Sequence, residues 1–313
     1  MTISQTQLNP LNPTSKFGVE VELEQVRALT GSTYWATERD GSLVDGREFV
    51  FQRGTLGMHV PEALAELHAH LNRQTGVDPS IRCSTHVHIE VSRMDEEHRQ
   101  TFLMMCMLFE EVLYRLGGAE RRANPYCMSI MGSGEYIRRF LAGDDRDVAR
   151  GWEKYTSINL SRYNDLGTFE FRTMEGTTDM NRVLSYVTVI SRIKDLACSM
   201  TKGEFAKAYR FNPFSLFEQV FDLQDEYIAS RIGDYNTAVA KGVALCDITL
   251  RHMTDTRRKE EYIRVDTVRT INHGELEVMY GIKGVSLPVN TARKLFGALA
   301  SRFIHPEDLH KVI

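Results

Sequence analysis

No apolar run in this chain approaches the ~18 residues that a membrane-spanning helix needs. Its polar opening, MTISQTQLNPLNPTS, lacks the basic-then-apolar pattern of a secretory leader. Cysteine is scarce, at 5 in 313 residues, odd in number and never spaced as CxxC. A disulfide framework therefore has no support, and the cysteines read as five buried thiols in a reducing compartment. Basic charge is not in excess either: the formal net charge is −4, so composition gives no case for a nucleic-acid partner. No internal repeat and no glycine-rich phosphate loop is present. What remains is an ordinary globular composition, 42% hydrophobic and 26% charged, with a core large enough to need no staples. The expected location is the cytoplasm, away from membranes.

What is there begins with Ser84-Thr85-His86-Val87-His88-Ile89-Glu90. In a strand, alternate side chains share a face, so His86, His88 and Glu90 point one way. Ile81, Cys83, Thr85, Val87, Ile89 and Val91 point the other way, as a core face. Phe17 to Glu24 has the same design, with Phe17, Val19, Val21 and Leu23 opposed to Glu20, Glu22 and Glu24. A hairpin is expected from Tyr34-Trp35-Ala36 to Arg47-Glu48-Phe49-Val50-Phe51, across Asp-Gly turn signals. A second hairpin joins Tyr155–Ser161, carrying Asn159, to Thr168–Thr173, where Glu170 and Arg172 oppose Phe169 and Phe171.

Between these strands the pattern turns helical. Pro61 opens a helix with a Leu64, Leu67 and Leu71 stripe that runs to about Arg73. Asp95-Glu96-Glu97 starts a buried helix that Gly117-Gly118 ends. Residues 120–150 read as irregular, with one short helix near 134–141 and a turn at Asp144-Asp145. Asp179 to Met200 reads as a long helix. Residues 1–15 read as a loose arm. After Gly203 the chain looks mainly helical to 265, with a strand at 275–280 and a last helix from 286 to 303. The expected division is a domain at 16–200 and a helical region at 201–313.

The expected class is α+β: a mostly antiparallel sheet, helices on one face, and a concave carboxylate-lined surface on the other. Each motif alone is commonplace. An ExE strand is usually a solvated face, HxH is usually structural, and ExR is usually an ion pair. Their coincidence is what points to a site. Clustered carboxylates repel unless cations neutralise them. Oxygen donors with an imidazole suit Mg²⁺ or Mn²⁺ better than a closed zinc site. Arg172 on the same face suggests an anion, such as a nucleotide phosphate. A metal-dependent hydrolase or phosphoesterase, and a non-catalytic binding protein that kept the fold, use the same residues and stay open at this point.

The motifs Phe-Gly-Val-Glu-Val-Glu, Asp-Gly-Ser-Leu with Glu-Phe-Val, Cys-Ser-Thr-His-Val-His-Ile and Thr-Phe-Glu-Phe-Arg together resemble the amidoligase family. That family belongs to the carboxylate–amine ligase superfamily with the glutamine synthetase-like fold. The resemblance spans roughly residues 16–200. One departure is Ser84-Thr85 where the family usually has Gly-Leu before His-x-His. The resemblance implies ATP-dependent amide formation through an acyl phosphate. It implies Glu20, Glu22, Glu48, His88 and Glu170 as ligands of Mg²⁺, or of Mn²⁺ in its place, with His86 behind them. Arg172 and Glu48 would be catalytic, and Arg172, Arg162 and Asn159 would meet nucleotide or substrate. The substrates would be a small-molecule or peptide carboxylate and an amine, with a modified nucleobase within the family's range. Superfamily members often form homo-oligomers.

Overall fold

A computed structural model describes residues 11–52 and 54–257. The expectations for residues 1–10, for a strand at 275–280 and for a helix at 286–303 lie outside them. Phe17, Val19, Val21 and Leu23 are all buried, and the alternation that put them on one face builds β1 (Lys16–Glu24). The hairpin follows as β2 (Trp35–Arg39) and β3 (Gly46–Phe51), with a short β4 (Thr55–Leu56) beside the start of β1. Helix α1 (Val60–Leu71) buries Leu64, Leu67 and Leu71 as its spacing requires. Strand β5 (Ser84–Glu90) carries the histidines.

Helix α2 (Glu96–Gly117) starts where Asp95 accepts a hydrogen bond from His98 N at 2.8 Å. It is buried on nearly every side, from Gln100 to Gly117 with the exception of Arg115. The irregular stretch is better built than its composition suggests. It holds the expected α3 (Gly134–Leu141) and, where Asp144-Asp145 predicts a turn, α4 (Asp145–Gly151). Then come β6 (Ile158–Asn159), the single turn α5 (Tyr163–Leu166), β7 (Thr168–Glu175) and α6 (Met180–Cys198), capped by Asp179. Gly203 lies inside α7 (Lys202–Phe211), whose start is set by a reciprocal Thr201–Glu204 capping box. Helices α8 (Pro213–Val220), α9 (Glu226–Ile232) and α10 (Tyr235–Arg257) follow.

The described residues thus form an α+β structure with one 7-stranded antiparallel sheet, ordered β2-β3-β1-β5-β7-β6 with β4 on β1. Helix α2 lies against β7, and α6 lies against β5. Phe102 of α2 stacks on Phe169 of β7 with ring centroids 5.5 Å apart. Burying each such ring stabilises by about 1.5–3 kcal/mol. The hydrophobic core runs without a gap from Leu11 to Cys246, so α7 to α10 share it. At the α10–α2 contact, a Cβ on Gly242 would come within 1.7 Å of the Leu108 carbonyl oxygen, which explains the glycine.

Two expectations need correcting. Ile81 precedes β5 and is 79% exposed, because the core face of that strand begins only at Cys83. Cys198 is exposed at the last residue of α6, where the buried stripe has already ended at Ala197; the other four cysteines are buried, and all five are free. Among the described residues, no helix is long and apolar enough to cross a membrane.

Candidate active site

Register does what alternation alone could not, which is to align the polar faces of five strands. Glu22 stands opposite Glu48 across β1–β3, and Glu20 opposite His86 across β1–β5. His88 stands opposite Glu170 across β5–β7, and Asn159 opposite Glu170 across β6–β7. Residues directly opposite in a ladder share a face. Glu48, Glu20, Glu22, His86, His88, Glu170 and Asn159 therefore form one continuous band. Gly18 pairs with His88, and a Cβ there would sit 3.2 Å from the His88 Cβ, so the glycine leaves room for the ring.

His86 is central in this band. Its Nδ1 lies 3.1 Å from Glu20 Oε2 and 3.7 Å from Glu170 Oε1. Its Nε2 lies 2.8 Å from the Ser84 hydroxyl, which donates to Glu22 Oε2 at 2.6 Å. The Ser84 backbone N–H donates to the same oxygen at 2.8 Å. One donor atom each from Glu20, His86 and Glu170 lie within 4.8 Å of one another, and so do one each from Glu22, Glu48 and His86. The structure thus puts His86 in both groupings and His88 in neither. His88 Nδ1 lies 3.1 Å from the Thr168 hydroxyl. Its Nε2 lies 3.2 Å from Glu20 Oε1 but off the line of a hydrogen bond, and is buried without a hydrogen-bond partner among the described residues.

The remaining expected residues sit as follows. Glu170 Oε2 accepts from Asn159 Nδ2 at 2.6 Å, and Asn159 Oδ1 accepts from Ser161 N at 2.8 Å. Asn159 is therefore spent on orienting Glu170. Arg172 is buried; its Nη1 pairs with Glu170 Oε1, its Nε donates to the Tyr126 carbonyl at 3.2 Å, and its guanidinium carbon lies 5.8 Å from the Tyr155 ring centre. Arg162, just before α5, is exposed, and its charge reaches His88. Glu24 and Glu90 are not brought in. Glu24 accepts from Val44 N and Arg82, and Glu90 lies 3.6 Å from Arg93.

The electrostatics describe a face short of positive charge. Burial opposes ionisation of Glu20, but the adjacent His86 and His88 outweigh it and hold its carboxyl far below the usual range. Burial is likewise outweighed at Glu170, whose carboxyl is lowered by His86, Arg172 and His88. At His88 burial works against the charged ring, and the Glu20 and Glu170 carboxylates raise it nonetheless. Glu48 has no such partner. Burial, and then the charges of Glu20 and Glu22, push its carboxyl up to about 8. A buried imidazole nitrogen with no hydrogen-bond partner among the described residues and a carboxyl kept protonated by its neighbours both fit a site for a divalent cation. The donors, mostly carboxylate oxygens, are those of hard cations.

Several residues escaped sequence reasoning. Ser84 fixes Glu22. Glu38 stands opposite Glu48 across β2–β3, on the same face, and its alternation within Trp35–Arg39 was a usable signal. Glu110, buried in α2, accepts from Ile130 N at 2.6 Å, Ser129 Oγ at 2.9 Å and the Ser157 hydroxyl. It thereby ties down both segments that hold Arg172, since Arg172 N donates to the Ser157 carbonyl at 2.9 Å and Met128 N to the Tyr155 carbonyl at 2.7 Å. Nothing in the periodicity of α2 distinguishes Glu110 from a surface acid.

Residues 58–193 match the model of a family described as "Putative amidoligase enzyme", the family that the motifs resemble. The matched span contains His86, His88, Asn159, Arg162, Glu170 and Arg172 and leaves out Glu20, Glu22 and Glu48, which the sheet adds to the same face. No curated protein matches the chain.

Proposed function

We propose that this chain, an amidoligase-family protein by its match over residues 58–193, is an ATP-dependent carboxylate–amine ligase on a glutamine synthetase-like fold. The observation that carries the reading is the band of four glutamates around His86, with Arg172 on the same face. Glu20, Glu22, Glu48 and Glu170, with His88 and its open nitrogen, would hold Mg²⁺, or Mn²⁺ in its place; His86 bridges the carboxylates. When bound, the cation supplies charge neutralisation between these carboxylates and the phosphates of ATP.

The reaction is a transfer followed by a displacement. A substrate carboxylate oxygen attacks the γ-phosphorus of ATP and ADP leaves. An amine nitrogen then attacks the acyl carbon, inorganic phosphate leaves, and the amine gives up a proton. Such chemistry asks the protein for positioning and charge rather than for a nucleophile. Arg172 is held by Glu170, by the Tyr126 carbonyl and against Tyr155, so its charge meets the phosphoryl group without reorganising. Asn159 keeps Glu170 in register for that task. Arg162, exposed at the edge of the band, is placed to meet a further anionic group of nucleotide or substrate. Glu48 serves at the far edge, where cation binding displaces its proton.

The substrates are a small-molecule or peptide carboxylate and an amine, and a modified nucleobase falls within that class. The proposed setting is the cytoplasm, with assembly into a homo-oligomer. The test is calorimetric titration of ATP with Mg²⁺, followed by ADP release over a panel of carboxylates and amines. Binding that needs both ATP and the cation, and ADP release that needs both substrates, is expected. No binding of ATP in the presence of Mg²⁺ would overturn the reading.

A further inference from the structure

A cavity of about 440 Å³ opens where α6 begins, and none of the carboxylates or histidines of the sheet face lines it. Its walls include Cys83, Arg121, Asn124, Thr178 and Arg182. We propose that it is a second binding site, for a small oxyanion, carboxylate or phosphate, clamped by Arg121.

The argument starts from the charges. Arg121 is 4% exposed. Its Nη2 donates to the Arg172 carbonyl at 3.1 Å, and its Nε is buried without a partner among the described residues. Of the three acids on its walls, Glu120 is exposed to solvent and the other two are committed elsewhere. Glu175 takes both Arg182 and Arg231. The Asp179 carboxylate accepts from Asn181 N at 3.0 Å as the cap of α6. Arg122 next door pairs with Glu111. Arg121 is left as a buried cation with no carboxylate partner among the described residues. Such a group is costly unless something pairs with it. A guanidinium beside a cavity takes an oxyanion best, because its N–H fork matches two oxygens. The first turn of the 19-residue α6 borders the same space and favours negative charge there. The Thr178 hydroxyl and the Asn124 amide add uncharged donors to the wall. The volume suits a small molecule.

The site is independent of the ligase reading but not remote from it. The Arg121 nitrogen that is not free holds the backbone of Arg172. An occupant drawing on Arg121 therefore bears on the β7 residue that faces the carboxylate band.

The test uses the full chain in EDTA, so that the carboxylate face holds no divalent cation. Low-millimolar phosphate and succinate are compared with chloride at matched ionic strength, by calorimetry and by thermal unfolding. One of the two oxyanions should bind saturably and raise the midpoint by about 2–4 °C; which one does so tells carboxylate from phosphate. Arg121→Met should abolish that increment while leaving the ion-free protein as stable or more so, since an unpaired buried charge is removed. Thr178→Glu brings a carboxylate into the cavity, so it should raise the ion-free midpoint and cancel the response. Arg172→Gln should leave the response in place, which separates this cavity from the sheet face. Equal shifts with chloride, or an unchanged oxyanion response in Arg121→Met, would overturn the proposal. Should Arg121→Met fail to fold, an unchanged response in Thr178→Glu overturns it alone.

Discussion

Glu48 offers the sharpest test of the charge argument. It faces Glu22 on one neighbouring strand and Glu38 on the other, and burial with the charges of Glu20 and Glu22 pushes its carboxyl up to about 8 from an ordinary value of 4.5. The folded chain therefore binds a proton that the unfolded chain has lost. Stability from this source is fully present below about pH 4.5 and disappears as pH rises through about 8. The full gap would correspond to about 5 kcal/mol, but the side chain is only partly buried, and solvent screening reduces this to about 1–2 kcal/mol. For a chain of this size that is about 2–8 °C in unfolding midpoint. Glu48→Gln mimics the protonated form at every pH. In EDTA, circular-dichroism melts should superimpose for wild type and variant near pH 4, below the ordinary value of the carboxyl. By pH 8.5 the wild type should fall below the variant by that amount. Mg²⁺ should then restore the wild type and do little for the variant. A wild-type-to-variant difference that stays constant from pH 4 to 8.5, or an equal Mg²⁺ effect on both, would refute the account of this face.

Glu22→Gln should weaken Mg²⁺-dependent ATP binding by at least tenfold in calorimetry, and Ser84→Ala, which removes one of two donors to Glu22, should weaken it less; the reverse order would be wrong for this geometry. Arg172→Gln should lower the turnover number 10²–10³-fold, the usual range for losing a transition-state donor, with Mg²⁺ affinity nearly kept; parallel loss of both would make Arg172 a structural partner of Glu170. Gly242→Ala should lower the unfolding free energy from denaturant titration by about 1–3 kcal/mol through the clash with Leu108, without changing ATP affinity. Glu170 and Glu20 carry lowered carboxyls, so the stability they contribute is present above their ordinary range and lost as pH falls below it, and Glu170→Gln should flatten the acid limb of a pH–stability curve.

Strands with one buried face were legible because their period of two is short and repeated. Four buried apolar residues on β1 and the run from Val87 to Val91 on β5 leave no other reading. Helices α1, α2 and α6 were legible from apolar residues at helical spacing, and Asp95 and Asp179 cap the last two. The corrections fall where local pattern competes with context. Asp144-Asp145 reads as a turn, yet Asp145 opens α4. The helical region expected after Gly203 starts just before it, where the Thr201–Glu204 capping box opens α7. Glu110 was invisible because a buried acid on a helix is marked by partners distant in sequence, here Ile130 and Ser157.

The two histidines show what alternation can and cannot carry. It puts His86 and His88 on one face with equal force, and only the register distinguishes them. His86 pairs with Glu20 from β1, and the β5–β7 ladder shifts between Thr85 and Val87, which leaves His86 without a direct partner on β7 while bringing it 3.7 Å from Glu170. His88 pairs with Glu170 on β7, yet its Nε2, 3.2 Å from Glu20 Oε1, makes no hydrogen bond among the described residues. One ring is thus committed between carboxylates, and the other holds a nitrogen that makes no hydrogen bond among the described residues. A buried imidazole nitrogen that makes no hydrogen bond suits a ligand position, whereas a ring engaged through both nitrogens suits a spacer between carboxylates. By that logic His88→Ala should cost more Mg²⁺ affinity than His86→Ala. His86→Ala should instead let Glu20 and Glu170 repel and lower the stability of the cation-free protein. Equal Mg²⁺ affinities in the two variants would mean that both rings ligate and that His86 turns on cation binding.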